Sequence, residues 1–178
     1  ASAILYATGA MRADPAVLKA NERGPSGLWG QSISGDNPIV VLKIRDLGKD
    51  SMVADMVKAH PYGRVKGLVV ELGLLGEGHA GDRQNRQDMV MDAAPAAGEV
   101  QLIDMPGGIF VRTADQLSHE DIILLEASAR LILSDKNGTL AQQVYRRRAG
   151  APLPGLCPSI PPASNNGRIY ADSPDPRK

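Results

Sequence analysis

Cysteine is almost absent from this sequence of 178 residues, since Cys157 is its only cysteine. One cysteine forms no internal disulfide and no thiolate metal cluster, so a reducing compartment is the simplest expectation and secretion is not supported. No helix start or basic cluster lies near Cys157 to activate its thiol. We therefore do not expect it to be a catalytic nucleophile.

Aromatic residues, net charge and long apolar runs are also scarce. Aromatics make up 3% of the chain, which leaves few stacking platforms for sugars or bases. The 20 basic residues balance the 20 acidic ones, so no overall field attracts a nucleic acid or an anionic membrane. No apolar stretch approaches the roughly 20 residues that a bilayer span requires. Nucleic-acid binding and a membrane span are both disfavoured.

Metal ligands are equally sparse. The three histidines are dispersed at His60, His79 and His119. None has a second histidine one helical turn away, so we expect no metal site.

Apolar runs predict a series of buried strands. Ile39–Ile44 is rich in β-branched residues and too short for an average helix, which indicates a central strand. Further strands are predicted at Leu68–Leu75, at Val100–Ile103, at Ile109–Arg112 after a Pro-Gly-Gly turn, and at Leu131–Ser134.

Helices are predicted between these strands. Residues that can cap a helix stand at Asp14, at Asp50 or Ser51, at Ser118 and at Thr139. Another helix is expected in Asp82–Ala93. Alternating strands and helices force parallel pairing through right-handed crossovers. The sequence therefore predicts an α/β fold, a three-layer Rossmann-like domain with a mainly parallel sheet.

The order of elements also divides the chain into three parts. Residues 1–30 are a helical lead-in, and residues 31–148 form the α/β domain. Residues 149–178 hold seven of the thirteen prolines and are predicted to be a Pro-rich linker or disordered tail.

A glycine string follows the second predicted strand. Gly76, Gly78 and Gly81 form a G-x-G-x-x-G pattern. Asp104 lies about where the acidic residue that binds the ribose is expected. In such a loop the pyrophosphate approaches bare backbone at a helix N-terminus. The other interpretation is a flexible Gly-rich loop. It is favoured because Glu77 would put negative charge among the phosphates, and because the string follows the second strand rather than the first.

A polar loop precedes the first predicted strand. Ser34 and Asp36 lie in a segment of small, hydrogen-bonding residues, shortly after Trp29. A carboxylate beside an aromatic ring is a common way to bind sugar hydroxyls. The alternative is an Asx-turn that only starts the strand.

Four segments resemble motifs of one protein family, the bacterial cyclic β-1,2-glucan synthases and related proteins with a cellobiose-phosphorylase-like module. Pro25–Val40 is similar to G-Q-S-G-L-W-x-x-x-I-S-G-D-L-P-I-V, and Ala59–Leu68 to A-H-x-Y-W-R-L-K-G-L. Gly107–Arg112 is similar to G-G-I-F-V-R, and Ser134–Gln143 to S-D-x-x-G-T-L-A-E-Q. The motifs follow one another in the family's order. Gly63 and Gln31 replace aromatic residues of the pattern, and the family has no glycine string.

The resemblance implies a piece of a very long inner-membrane polypeptide that polymerises glucose from UDP-glucose, trims the chain by phosphorolysis and closes it into a ring. The piece would be neither the transferase nor the phosphorylase centre, so no catalytic residue and no cofactor is assigned. It implies a non-catalytic scaffold or glucan-contacting module on the cytoplasmic side of the membrane, soluble when isolated. Its partners would be neighbouring domains and β-1,2-glucan.

The expected substrate-binding residues are Trp29, Ser34, Asp36 and Arg64. The alternative function is a Rossmann-like nucleotide-binding enzyme that uses Gly76, Gly78, Gly81 and Asp104.

Overall fold

The computed structural model describes residues 2–5, 9–45, 50–78, 83–98 and 100–149. Four residues discussed above, His79, Gly81, Asp82 and Cys157, lie outside these ranges. So does the predicted Pro-rich tail from residue 150 onward.

Six α-helices lie among the described residues. They are α1 (Ser2–Leu5), α2 (Pro15–Ala20), α3 (Asp50–Val65), α4 (Arg83–Ala97), α5 (His119–Ser128) and α6 (Leu140–Ala149). Short 3-10 helices occur at Gly9–Met11, Pro25–Gln31, Val100–Leu102 and Asp135–Asn137. None of the described helices has the length and apolar character needed to cross a bilayer.

The four described strands form one parallel sheet. They are β1 (Ile39–Ile44), β2 (Glu71–Gly76), β3 (Ile109–Thr113) and β4 (Ala129–Ser134), in the order β3-β2-β1-β4. The predicted α/β fold with a parallel sheet is confirmed. All strands start at one edge of the sheet and end at the other. We call these the amino edge and the carboxyl edge.

Each face of the sheet packs against its own helices. On one face, Val40 and Leu42 of β1 join a buried cluster with Val53 and Val57 of α3. On the other face, Val41 joins Phe110 of β3 and residues of α5. This alternation follows the period of two along a strand, and it makes the domain three layers thick.

Three predicted helix starts are confirmed by their cap hydrogen bonds. The Ala16 amide donates to Asp14 Oδ1 at 2.8 Å, and the Asp121 amide donates to Ser118 Oγ at 3.1 Å. Thr139 and Gln142 form a reciprocal capping box, in which each backbone amide donates to the other's side-chain oxygen.

β2 begins three residues later than predicted, because the preceding residues cap α3. Gly67 has a φ of 78°. Its amide donates to the Arg64 carbonyl, and the Leu68 amide donates to the Gly63 carbonyl. This pair of bonds is a Schellman motif, which ends the helix.

The predicted strand at Val100–Ile103 is wrong. Val100–Leu102 is a 3-10 helix, and only Ile103 makes an isolated bridge, to Ile109. The following turn packs closely on this helix: a Cβ on Gly108 would lie 1.8 Å from the Leu102 carbonyl oxygen. The place beside β2 is therefore taken by the strand after the turn, which the sequence also predicted.

Candidate functional site

Most of the residues singled out in the sequence fall into two groups at opposite edges of the sheet. Trp29, Ser34, Asp36 and Arg64 lie around the starts of β1, β2 and β3, at the amino edge. Gly76 ends β2 at the carboxyl edge, and Gly78 follows it.

The amino edge is built around Glu71, the first residue of β2, which is fully buried. Its Oε1 accepts hydrogen bonds from the Ser34 hydroxyl at 2.7 Å, the Ser34 amide at 3.3 Å and the Gly107 amide at 3.5 Å. Its Oε2 accepts from the Gly35 amide at 3.2 Å. Hydrogen bonds to a carboxylate are stronger than those between neutral groups. One side chain thus joins the loop before β1 to the turn before β3.

The sequence interpretation missed Glu71. The available signal was a lone carboxylate inside the apolar run Leu68–Leu75. A charge that is buried with its strand must be hydrogen-bonded or paired. The partners were not predictable, because Ser34, Gly35 and Gly107 are 36 or 37 positions away in the sequence.

Ser34 is occupied within its own loop. Its hydroxyl donates to Glu71 and also accepts from the Asp36 amide at 3.2 Å. Its carbonyl accepts from the Trp29 indole at 3.3 Å. Ser34 therefore orients Trp29 and Asp36.

The Arg64 side chain is also engaged in a hydrogen bond within the protein. Its Nη2 donates to the Gly107 carbonyl at 2.7 Å, and its Nε is buried without a hydrogen-bond partner among the described residues. Gly107 thus connects Arg64 to Glu71, since its amide bonds Glu71. Arg64 supports the turn and does not line the depression described next.

An open depression of about 340 Å³ lies on the surface of this loop. It is lined by Trp29, Ser32, Ile33, Ser34, Asp36 and Pro106. Trp29 is 68% exposed, and Asp36 is exposed beside it. An accessible indole face and an accessible carboxylate can together bind the apolar face and the hydroxyls of a sugar.

At the carboxyl edge, Glu77 lies between Gly76 and Gly78, and its carboxylate is surrounded by basic side chains. The Glu77 carboxylate lies 3.3 Å from Arg45, 3.6 Å from Lys43 and 3.9 Å from Lys136. Lys43 also contacts Glu126 of α5 at 2.5 Å. The space after β2 therefore carries a carboxylate where a pyrophosphate would have to approach. Gly81, the last glycine of the string, lies outside the described residues.

Asp104 is not brought together with these glycines. It follows the 3-10 helix and precedes β3, so it lies at the amino edge, and its carboxylate accepts from Arg112 Nη1 at 2.7 Å. In dinucleotide-binding folds the phosphates and the ribose bind beyond the carboxyl ends of the strands. Gly76 and Asp104 lie at opposite ends of this sheet.

No metal centre is formed within the described ranges, where no three His, Cys, Asp or Glu side chains are grouped to hold an ion. His60 is buried instead, with its Nε2 3.0 Å from the Val70 carbonyl oxygen.

The fold defines this chain as a Rossmann-like α/β domain, and one comparison relates it to a larger protein. Over 147 residues it is 29% identical to the cyclic β-(1,2)-glucan synthase NdvB of Rhizobium meliloti (strain 1021). The match covers 80% of this chain and 5% of that synthase. No protein-family model matches the chain. The resemblance predicted from the four motifs is confirmed as a similarity to a small part of this synthase.

Proposed function

We propose that this chain is a non-catalytic, glucan-contacting module of a cyclic β-1,2-glucan synthase-like protein. The observation that carries the proposal is the loop anchored on Glu71, which presents Trp29 and Asp36 in an open depression. In this role the module orients neighbouring domains and holds a segment of glucan between them.

The similarity supports a role in glucan biosynthesis. The chain corresponds to 5% of the synthase, so the proposal assigns polymerisation to other parts of such a protein. We further propose that the module lies on the cytoplasmic side of the bacterial inner membrane, within a larger polypeptide.

The chemistry of the depression supports contact rather than catalysis. Glycoside cleavage normally uses two carboxyl groups that flank the bond. Among the described residues that line the depression, Asp36 is the one carboxylate, and the oxygens of the nearby Glu71 are occupied by backbone and hydroxyl donors.

The expected affinity is low. The depression is open, and the proposed contact uses one ring face and one carboxylate. We expect a Kd of about 1 mM for linear β-1,2-glucan, equivalent to about −4 kcal/mol.

Calorimetric titration with linear β-1,2-glucan tests the proposal. Trp29→Ala should weaken binding at least tenfold, and Asp36→Asn several-fold. Tyr62→Ala is the matched control, because Tyr62 is 63% exposed and does not line the depression. Its affinity should equal that of the unmodified chain. An unmodified chain that binds no glucan, or a Trp29→Ala variant that binds as tightly as Tyr62→Ala, would contradict the proposal.

A further inference from the structure

The depression at Trp29 has two sides that come from distant parts of the sequence. Of the described residues that line it, five belong to the segment 29–36, and Pro106 belongs to the turn before β3. We propose that Arg112 of β3, which is not among the described lining residues, is a positioning residue that sets the separation of these two sides and thereby the affinity for glucan. This inference rests on the proposed function, because it assigns a further residue to the same site.

The guanidinium of Arg112 bonds a residue next to each side of the depression. Its Nη2 donates to the Gln31 carbonyl at 2.5 Å, and its Nη1 donates to Asp104 Oδ1 at 2.7 Å. Gln31 is the last residue of the 3-10 helix that carries Trp29. Asp104 stands two positions before Pro106. A guanidinium presents its donors in a rigid plane, so one group holds both partners at fixed positions.

Arg112 is itself held by contacts within its own strand. Its Nη1 also donates to the Val111 carbonyl at 2.8 Å, and its guanidinium carbon lies 5.8 Å from the centre of the Phe110 ring. Phe110 is fully buried, and the Arg112 side chain is mostly buried. An aromatic ring attracts a guanidinium, and the hydrogen bonds of a charged group are stronger where water is partly excluded. The sheet therefore provides a fixed reference for both sides of the depression.

The backbone is constrained next to both bonds. Among the described residues, Ser32 and Asp104 are the two non-glycine residues with a positive φ, at 63° and 57°. Ser32 directly follows Gln31, and Asp104 is itself a partner of Arg112. Residues other than glycine rarely adopt this left-handed conformation, and it persists only where surrounding contacts hold it. The two bonds of Arg112 are among the contacts that hold it on each side.

Arg112 and Glu71 hold different parts of the segment that lines the depression. Glu71 bonds Ser34 and Gly35, whereas Arg112 bonds Gln31. Without the guanidinium, the loop at Ser34 stays anchored, but the end of the 3-10 helix can move relative to the turn before β3. A site that must be reordered during binding loses affinity. We therefore expect weaker glucan binding without loss of the fold.

NMR of the full chain tests the inference through the indole N–H signal of Trp29, the single tryptophan. Arg112→Lys keeps the charge but loses the fork of donors. In the absence of glucan, we expect this variant to shift the indole signal upfield, because the hydrogen bond from the indole to the Ser34 carbonyl lengthens. In a titration with linear β-1,2-glucan, the same variant should raise the Kd about fivefold.

Arg130→Lys is the matched control. The Arg130 guanidinium also forms a fork, in which Nε and Nη2 donate to the carbonyls of Ile4 and Leu5. It lies in β4 and is not among the described residues that line the depression. The indole signal and the Kd of this variant should equal those of the unmodified chain.

Asp104→Gly breaks the same link from the other side. Glycine adopts a positive φ readily, so the turn keeps its backbone conformation. Because the Asp104 side chain is 52% exposed, its ion pair is screened, and we expect a smaller increase in Kd, about threefold. The double variant Arg112→Lys with Asp104→Gly should bind no more weakly than Arg112→Lys alone, because both changes break one link.

The outcomes separate this inference from the proposed function. If glucan does not bind the unmodified chain, the proposed function fails, and the indole signal without glucan still decides whether Arg112 positions Trp29. If glucan binds but Arg112→Lys matches Arg130→Lys in its indole signal or in its Kd, the inference is overturned and the proposed function stands. Additive effects of Arg112→Lys and Asp104→Gly on the Kd would also overturn it.

Discussion

The two ends of β2 carry the same type of side chain in two different electrostatic environments. Glu71 at the amino end is fully buried and bound by backbone amides and a hydroxyl. Glu77, directly after the carboxyl end, is 24% exposed and surrounded by three cations at 3.3–3.9 Å. Burial makes the first arrangement insensitive to salt, whereas solvent and salt screen the second. We therefore expect the stability of the amino edge to depend less on ionic strength than that of the carboxyl edge.

Removal of the Glu71 side chain at the amino edge should cause the largest loss of stability. Glu71→Ala leaves the amides of Ser34, Gly35 and Gly107 and the Ser34 hydroxyl without their acceptor. Each unsatisfied buried group costs about 1–3 kcal/mol, so we expect a loss of about 4 kcal/mol in the free energy of unfolding. Urea denaturation measures this loss.

Glu71→Gln is the matched variant for that experiment. The amide keeps one acceptor oxygen but turns a donor toward the remaining amide protons, so the loss should be about 2 kcal/mol. If the alanine and glutamine variants were as stable as the unmodified chain, Glu71 would not be the anchor of the amino edge.

The turn before β3 should be the next most sensitive position. Gly108→Ala forces a Cβ to within 1.8 Å of the Leu102 carbonyl oxygen, where backbone must move. We expect a loss of about 3 kcal/mol, measured by the same denaturation experiment. Gly30→Ala is the control, since a Cβ at Gly30 has nothing within 4 Å and should change the stability little. Equal stabilities of the two variants would argue against this turn geometry.

Glu77→Gln should have a smaller effect that depends on salt. Partly exposed ion pairs contribute about 0–1 kcal/mol each, so we expect a loss of about 1 kcal/mol at low ionic strength that shrinks at 1 M salt. Denaturation at both ionic strengths should show this dependence for Glu77→Gln and none for Glu71→Gln. A salt-dependent loss for Glu71→Gln and a salt-independent loss for Glu77→Gln would contradict this account of the two edges.

The smallest expected effect concerns Glu120, in the first turn of α5 at the carboxyl edge. Its own backbone amide, and then the Ser118 hydroxyl, hold its pKa below the ordinary value of 4.5. A lowered pKa in the folded state stabilises the protein above pH 4.5, and this contribution is lost as the pH falls through the lowered pKa. An NMR titration of the Glu120 carboxyl should report a pKa below 4.5 that rises in Ser118→Ala. A pKa at or above 4.5 in the unmodified chain would show that these hydrogen bonds do not stabilise the Glu120 carboxylate.

Local signals in the sequence predicted the local structure. The caps at Asp14, Ser118 and Thr139 depend on residues two or three positions away, so their patterns sufficed. The strand β1 was predicted with its observed bounds, because Ile39–Ile44 is a short apolar run rich in β-branched residues.

Contacts between distant segments were not predictable in the same way. The Val100–Ile103 run has the apolar composition of a strand, but the turn at Gly107 and Gly108 folds it against the start of β3. Asp104 consequently lies at the edge opposite to the glycines with which it was associated. Trp29 lies in the 3-10 helix before the loop of Ser34 and Asp36 and lines the same depression, whereas the residue that holds this loop, Glu71, comes from another strand.

The emission of the single tryptophan gives the most direct test of the central claim, that the loop held by Glu71 presents a glucan-binding surface. Because Trp29 is the only tryptophan, its fluorescence reports on the depression alone. The account predicts a saturable blue shift during titration with linear β-1,2-glucan, with a midpoint equal to the calorimetric Kd and unchanged in Tyr62→Ala. Emission that stays constant while calorimetry detects bound glucan would place the sugar elsewhere and contradict the account.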